Sequence, residues 1–123
     1  MKNLLLCLLL LWAPISVEAA ELLIFTASWC GPCRQVKEDL KSDASIVEGY
    51  EWGYIDIDDE KELAKLHDIK SVPTFLILEG NTVVARQVGY HGPEKLKNWL
   101  QRNKTKALRR EAWQPTKRYL NFR

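Results

Sequence analysis

The sequence predicts an α/β domain, a mixed four-stranded sheet with flanking helices. Three observations carry that expectation. Two short continuous apolar runs, 21–27 and 74–79, have the pattern of strands buried on both faces. Pro32 and Pro93 stand where helices open, because a missing N–H costs nothing in a first helical turn. Gly80-Asn81 separates two apolar runs and signals a two-residue hairpin. A length of 123 residues allows one such domain and hardly a second.

The elements follow in order. Residues 21–27 form the first strand, and a helix runs from Pro32 to about Lys41 with Val36 and Leu40 on its inner face. Gly49 and Gly53 flank a second strand, Tyr54 to Ile57. A short acidic helix comes next, with Asp58 or Asp59 as its cap and Leu63 and Leu66 facing the core. Residues 74–79 and 82–88 are hairpin strands, and Pro93 opens a last helix whose stripe is Leu96, Trp99 and Leu100. Trp52 and Trp99 read as core residues. Helical crossovers join parallel strands and hairpins join antiparallel ones, so the sheet is mixed.

With 46% hydrophobic residues the chain is too apolar to be disordered, and six Gly and five Pro exclude a collagen-like one. Three cysteines are too few for a disulfide-dense scaffold. No repeat is visible. Residues 1–19 have the pattern of a secretory signal: Lys2, the apolar run Leu4–Ala13, Pro14, and a cleavage site near Ala19. That run is shorter than the ~20 residues of a membrane span, so an uncleaved anchor is the weaker reading. Cys7 lies inside it and reads as an apolar side chain that leaves with the signal. The expectation is an exported protein, periplasmic or secreted, in a compartment where disulfides persist. Three segments result: a signal peptide (1–19), a folded domain (20–101) and a basic tail (102–123). The net charge of +2 is a cancellation, with nine basic against fourteen acidic residues over 20–101 and eight against one over 102–123.

The chemistry concentrates in Trp29-Cys30-Gly31-Pro32-Cys33, directly after the first strand. Two intervening residues let both sulfurs close one small ring, so the pair can cycle between dithiol and disulfide. Cys30 sits at a helix N-terminus, where unpaired N–H groups and the helix dipole favour a thiolate. Thiolate is the attacking species in disulfide exchange, which makes Cys30 the nucleophile and Cys33, one turn inward, the resolving thiol. A purely structural disulfide competes, but closing so short a loop removes only roughly 2 kcal/mol of unfolded-chain entropy. Zinc needs two more ligands, and only the well-separated His67 and His91 remain. Haem attachment wants His where Arg34 stands. No metal and no cofactor beyond the redox-active disulfide is expected. His91 reads as an exposed turn residue, and His67 as the end of the short helix, where a cation complements the dipole. Trp29, beside a reactive thiol, is expected to cover one edge of the site.

At these residues the sequence resembles the thioredoxin family. The resemblance rests on Phe25-Thr26-Ala27-Ser28, the Trp29–Cys33 motif, Ile69-Lys70-Ser71-Val72-Pro73-Thr74 and Val88-Gly89, and it spans residues 21–101. It implies a thioredoxin-like fold and thiol–disulfide oxidoreductase activity. It also implies a cis Pro73 beside the reactive cysteine, a Val72 backbone that pairs with a substrate peptide, and a Gly89 region bordering the same groove. Val72 is in any case held extended by the proline that follows. With Trp29, Gly31 and Pro32, these residues make the expected substrate-binding set. Three departures stand out. The usual opening strand and helix are missing, leaving a minimal core. The buried acid of the family is Ile24 here, and its customary lysine neighbour is Tyr54. The usual aromatic residue at position 26 is Thr26.

The functional expectation is exchange of disulfides with protein substrates, more in the reducing direction because Gly31-Pro32 resembles reducing thioredoxins. An oxidising compartment would then require a membrane or soluble thiol reductant. A redox-gated binding module, using the fold as a platform and the tail as a contact, is the alternative. The basic tail, with Trp113, Tyr119 and Phe122, reads as a solvated helical extension or as a contact for an anionic membrane surface. No nucleic-acid partner is expected.

Overall fold

The computed structural model describes residues 20–113, the final turns of the last helix by backbone alone. The expected leader and the tail aromatics Tyr119 and Phe122 lie outside the described residues. The chain builds β1 (Glu21–Thr26), α1 (Gly31–Ser42), a 3-10 turn (Ala44–Val47) and β2 (Glu51–Asp56). It continues with α2 (Lys61–Leu66), β3 (Thr74–Glu79), β4 (Thr82–Val88) and α3 (Pro93–Trp113). The sheet order is β2-β1-β3-β4, with β1 parallel to β2 and antiparallel to β3, and β3 antiparallel to β4.

The two continuous apolar runs take the two central places because only there are both faces covered. On one face Leu22, Ile24, Phe75 and Ile77 pack against Val36 and Leu40 of α1 and Leu96 and Leu100 of α3. On the other, Phe25, Leu76 and Leu78 gather Leu63, Ile69 and Val72 around α2. Ile46 and Val47 of the 3-10 turn complete the first core. Tyr50 joins them and donates its hydroxyl hydrogen to the Leu100 carbonyl at 2.7 Å, tying α3 to the entrance of β2.

Several expectations are corrected. The second helical connection does not return a parallel strand, since β3 runs against β1 and therefore against β2. β3 therefore starts at the end of the sheet where β2 finishes. Leu66 is 75% exposed rather than core. His67 takes the inward position after Leu63, setting its ring edge-on against Phe25 at 5.9 Å. Neither Asp58 nor Asp59 caps α2; Glu60 occupies that position without a side-chain bond. The preceding turn is closed by Asp56, whose carbonyl accepts from Glu60 N–H and whose Oδ1 accepts from Asp58 N–H.

β2 begins at Glu51, so Gly53 lies within the strand and Trp52 on an edge strand, 40% exposed. Trp52 packs edge-on against Tyr54, which in turn carries Lys37 over its ring. Trp99 is half-buried against the core, as expected. The last helix continues through the expected domain boundary at 101 to Trp113. None of the described helices is long and apolar enough to cross a membrane.

Candidate active site

The strand directions bring distant segments together. β1 ends beside the start of β3, with Phe25 opposite Thr74, and β3 starts beside the end of β4, with Thr74 opposite Val88. Whatever follows β1, precedes β3 or follows β4 therefore shares one end of the sheet. Those three segments are Trp29–Cys33, Val72-Pro73 and Gly89.

Cys30 and Cys33 are joined by a disulfide, with their Cα atoms 5.3 Å apart. Cys30 is the N-cap of α1 in extended conformation, and Pro32 stands in the first turn. The Cys33 N–H points at Cys30 Sγ over 3.2 Å. One of the helix's unpaired amides is thus already aimed at the sulfur that would carry negative charge once the disulfide opens. Both sulfurs are sheltered, Cys30 at 5% and Cys33 at 1% exposure, against Ala27, Ile57 and Val72.

The Val72–Pro73 peptide bond is cis, as the resemblance implies. Val72 is half-buried, and its carbonyl oxygen lies 3.7 Å from Cys30 Sγ. Pro73 is fully buried, and its carbonyl accepts the Gly89 N–H at 2.8 Å. Gly89 has φ +84°, in the left-handed region where a side chain would be strained. Gly31 and Pro32 are exposed on the outer surface of the ring. All eight residues singled out in the sequence thus meet at one place.

Trp29 is 68% exposed, and its indole N–H donates to Asp58 Oδ2 at 3.0 Å. Sequence reasoning missed Asp58 as a site residue because an acid before a short helix reads first as a cap. It also missed Tyr90, whose hydroxyl donates to Asp39 Oδ2 at 2.6 Å. Burial first, then the bond to Asp39 and its charge, hold the Tyr90 phenol well above its ordinary range. Ile24 is buried and sits beside Tyr54 in the β1–β2 register, so the two uncharged side chains that depart from the resemblance's usual acid and lysine are neighbours in the sheet. Thr26 is buried as well, and its Oγ1 has no hydrogen-bond partner among the described residues. His91 is exposed. The described residues contain no group of three or more His, Cys, Asp or Glu able to hold a metal ion.

A vicinal disulfide-forming pair at a helix N-terminus, walled by a cis-proline turn, defines a thiol–disulfide oxidoreductase of thioredoxin-like fold. The chain belongs to the thioredoxin family, whose model, described as Thioredoxin, matches residues 15–102. It is 33% identical over 79 residues to a thioredoxin of Chlamydia pneumoniae, covering 64% of this chain and 78% of that one. To a thioredoxin of Bacillus subtilis it is 31% identical over 87 residues, covering 70% and 84%. A rice thioredoxin H-type is 35% identical over 74 residues, with 58% of this chain and 61% of that protein covered. The X-ray structure of Fasciola hepatica thioredoxin superimposes with a TM-score of 0.61 at 27% identity, over 68% of this chain and 80% of that one.

Proposed function

We propose that this chain is an exported reductase of protein disulfides that draws its electrons from a thiol reductant. The observation carrying the reading is the Cys30–Cys33 disulfide beneath the Val72–Pro73 turn, with the Cys33 amide aimed at Cys30 Sγ. In the reduced protein Cys30 thiolate attacks a substrate disulfide. A Cys30–substrate disulfide forms, and one substrate sulfur leaves as a thiolate that takes up a proton. Cys33, deprotonated, then attacks Cys30 Sγ; the second substrate thiol departs and the Cys30–Cys33 disulfide closes. Two electrons have passed to the substrate, and a dithiol reductant restores the pair by the reverse exchange.

Val72 offers its extended backbone, and Trp29, Gly31, Pro32, Pro73 and Gly89 border the groove in which a substrate chain lies. The Gly31-Pro32 pair supports the reducing direction, and the leader pattern of 1–19 supports export. The test combines dithiol-driven reduction of a disulfide protein with a measured reduction potential for the Cys30–Cys33 couple. Turnover and a potential near that of reducing thioredoxins, about −270 mV, are expected. A folded protein without turnover refutes the enzyme, and a potential near about −120 mV reverses the direction.

A further inference from the structure

The loop after β4 borders the site through Gly89, yet its backbone is bracketed by two glycines of positive φ, Gly89 at +84° and Gly92 at +100°. Such a loop is not stiffened by its own conformational preferences. Between the glycines stands Tyr90, whose phenol reaches across to the first helix and donates to Asp39 Oδ2 at 2.6 Å. The acceptor is itself oriented, because Gln35, one turn earlier on α1, donates to Asp39 Oδ1 at 3.0 Å. The Tyr90 ring is seated against Phe75 of β3, centroids 6.3 Å apart. On the other side of Tyr90, the Gly89 N–H is bonded to the Pro73 carbonyl at 2.8 Å.

These contacts form a closed circuit. It runs from α1, which carries Cys33, through Asp39 to Tyr90, to Gly89, and to the cis-proline turn whose Val72 oxygen faces Cys30 Sγ. We propose that the Tyr90–Asp39 bond is a positioning device that holds the Gly89 loop, and with it the Pro73 turn bonded to Gly89, at a fixed distance from α1, whose start carries the cysteine pair. It thereby sets the width of the groove for polypeptide substrates. The inference rests on the oxidoreductase reading of the same site and assigns Tyr90 and Asp39 no contact with the reacting sulfurs. A hydrogen bond to an ionised carboxylate in a partly buried place is among the stronger kinds, so its loss frees the loop.

The consequence is selectivity by substrate size. A polypeptide disulfide needs both walls of the groove, whereas a small aromatic disulfide needs only Cys30. In Tyr90→Phe, which keeps the ring against Phe75, KM for insulin rises about 5- to 10-fold with kcat within twofold, the loss of one such bond. Reduction of dithiobis(nitrobenzoate) by the pre-reduced variant stays within twofold of the unaltered protein. Asp39→Ala behaves as Tyr90→Phe does, Asp39→Asn recovers most of the loss through its amide oxygen, and the double variant is no worse than either single one. Hydrogen exchange of the Gly89 amide, read by NMR, accelerates about 10-fold in Tyr90→Phe and in Asp39→Ala.

An unchanged KM for insulin, or an equal loss on both substrates, overturns the proposal, as does a Gly89 amide whose exchange ignores both substitutions. If the unaltered protein reduces neither substrate, the oxidoreductase reading fails. The exchange measurement then still decides whether the bond pins the loop.

Discussion

Introducing an acid at Ile24 tests how this chain resolves its mixed disulfide. Ile24 is completely buried, in the same cluster as Val36, one helical turn beyond Cys33. Ile24→Asp removes a fully buried aliphatic side chain, worth about 1.5–3 kcal/mol. It also places a carboxyl group among apolar neighbours, with Tyr54 rather than a cation beside it in the sheet, at about 2 kcal/mol or more. The expected destabilisation is about 4 kcal/mol, a large share of the roughly 5–15 kcal/mol that holds a domain of this size together.

The kinetic effect has the opposite sign. Cys33 must lose its proton before it attacks, and no acid or base stands at position 24 to take it. A positioned base contributes typically 10²–10⁴-fold, and about 10-fold is expected from a carboxylate at this one-turn remove. The assay is single-turnover release of a Cys30-linked peptide, followed as free thiol, with circular dichroism confirming the fold. Burial raises the pKa of the new carboxyl group above its unfolded value. The protonated form is the better tolerated one, so the stability penalty is smallest in acid and grows as pH rises through the folded pKa. The acceleration appears over the same rise in pH. A folded variant that releases peptide no faster at any pH refutes the reasoning.

Other outcomes follow from the same contacts. Cys33→Ser should accumulate a stable Cys30–substrate disulfide, detectable by mass, whereas Cys30→Ser should form none and lose all turnover; trapping by both equally would reverse the assigned roles. Gly49→Ala should destabilise by about 1–2 kcal/mol, because Gly49 has φ +86° and an added Cβ would collide with the end of the Lys104 side chain. Gly31→Ala, with open space at the same atom, should cost far less in the same denaturant titration. Tyr50→Phe should lower stability by about 1 kcal/mol through loss of the hydroxyl's bond to the Leu100 carbonyl, which keeps its helical partner, with kcat/KM unchanged. Asp43 caps the 3-10 turn, and its bonds to Ser45 hold its carboxyl below the ordinary range. Its contribution is therefore present above the unfolded pKa and lost as pH falls through the folded one, so Asp43→Asn should matter at neutral pH and cease to matter in strong acid.

What could be read from the sequence was what depends on short-range pattern. Continuous apolar runs marked the central strands, Pro32 and Pro93 marked helix starts, and two glycine-containing turns marked the ends of β3 and β4. The cysteine pair was legible because its function depends on a spacing of three along one helical turn. Long-range partners were not legible. Trp29 and Asp58 are 29 positions apart, and Tyr90 and Asp39 are 51, so nothing in either local pattern announces the other. Leu66 was misplaced for a related reason: a two-turn helix offers too few positions for periodicity to choose between Leu66 and His67, and the fit against Phe25 decided it. Trp52 was misplaced because burial of a strand residue depends on whether the strand lies at the sheet's centre or edge, which is a property of the topology.

The same topology explains why the site depends on the centre of the sheet rather than on its edges. Among the described residues the sheet has two free edges, the outer sides of β2 and β4. Any strand added to this fold must join at one of them. The cysteines, however, hang from the end of β1, and the cis-proline turn leads into β3, the two strands at the centre. Their juxtaposition is set by the antiparallel β1–β3 register and by α1 packing on Ile24, and neither involves an outer edge. β2 lies at an edge of the sheet among the described residues, which shows as exposed Trp52 and Tyr54, while Cys30 stays beside Val72. Placing polar side chains at Trp52 and Tyr54 should accordingly change solubility and leave the rate of disulfide exchange as it was; a matching fall in rate would show that the edge and the site are mechanically joined.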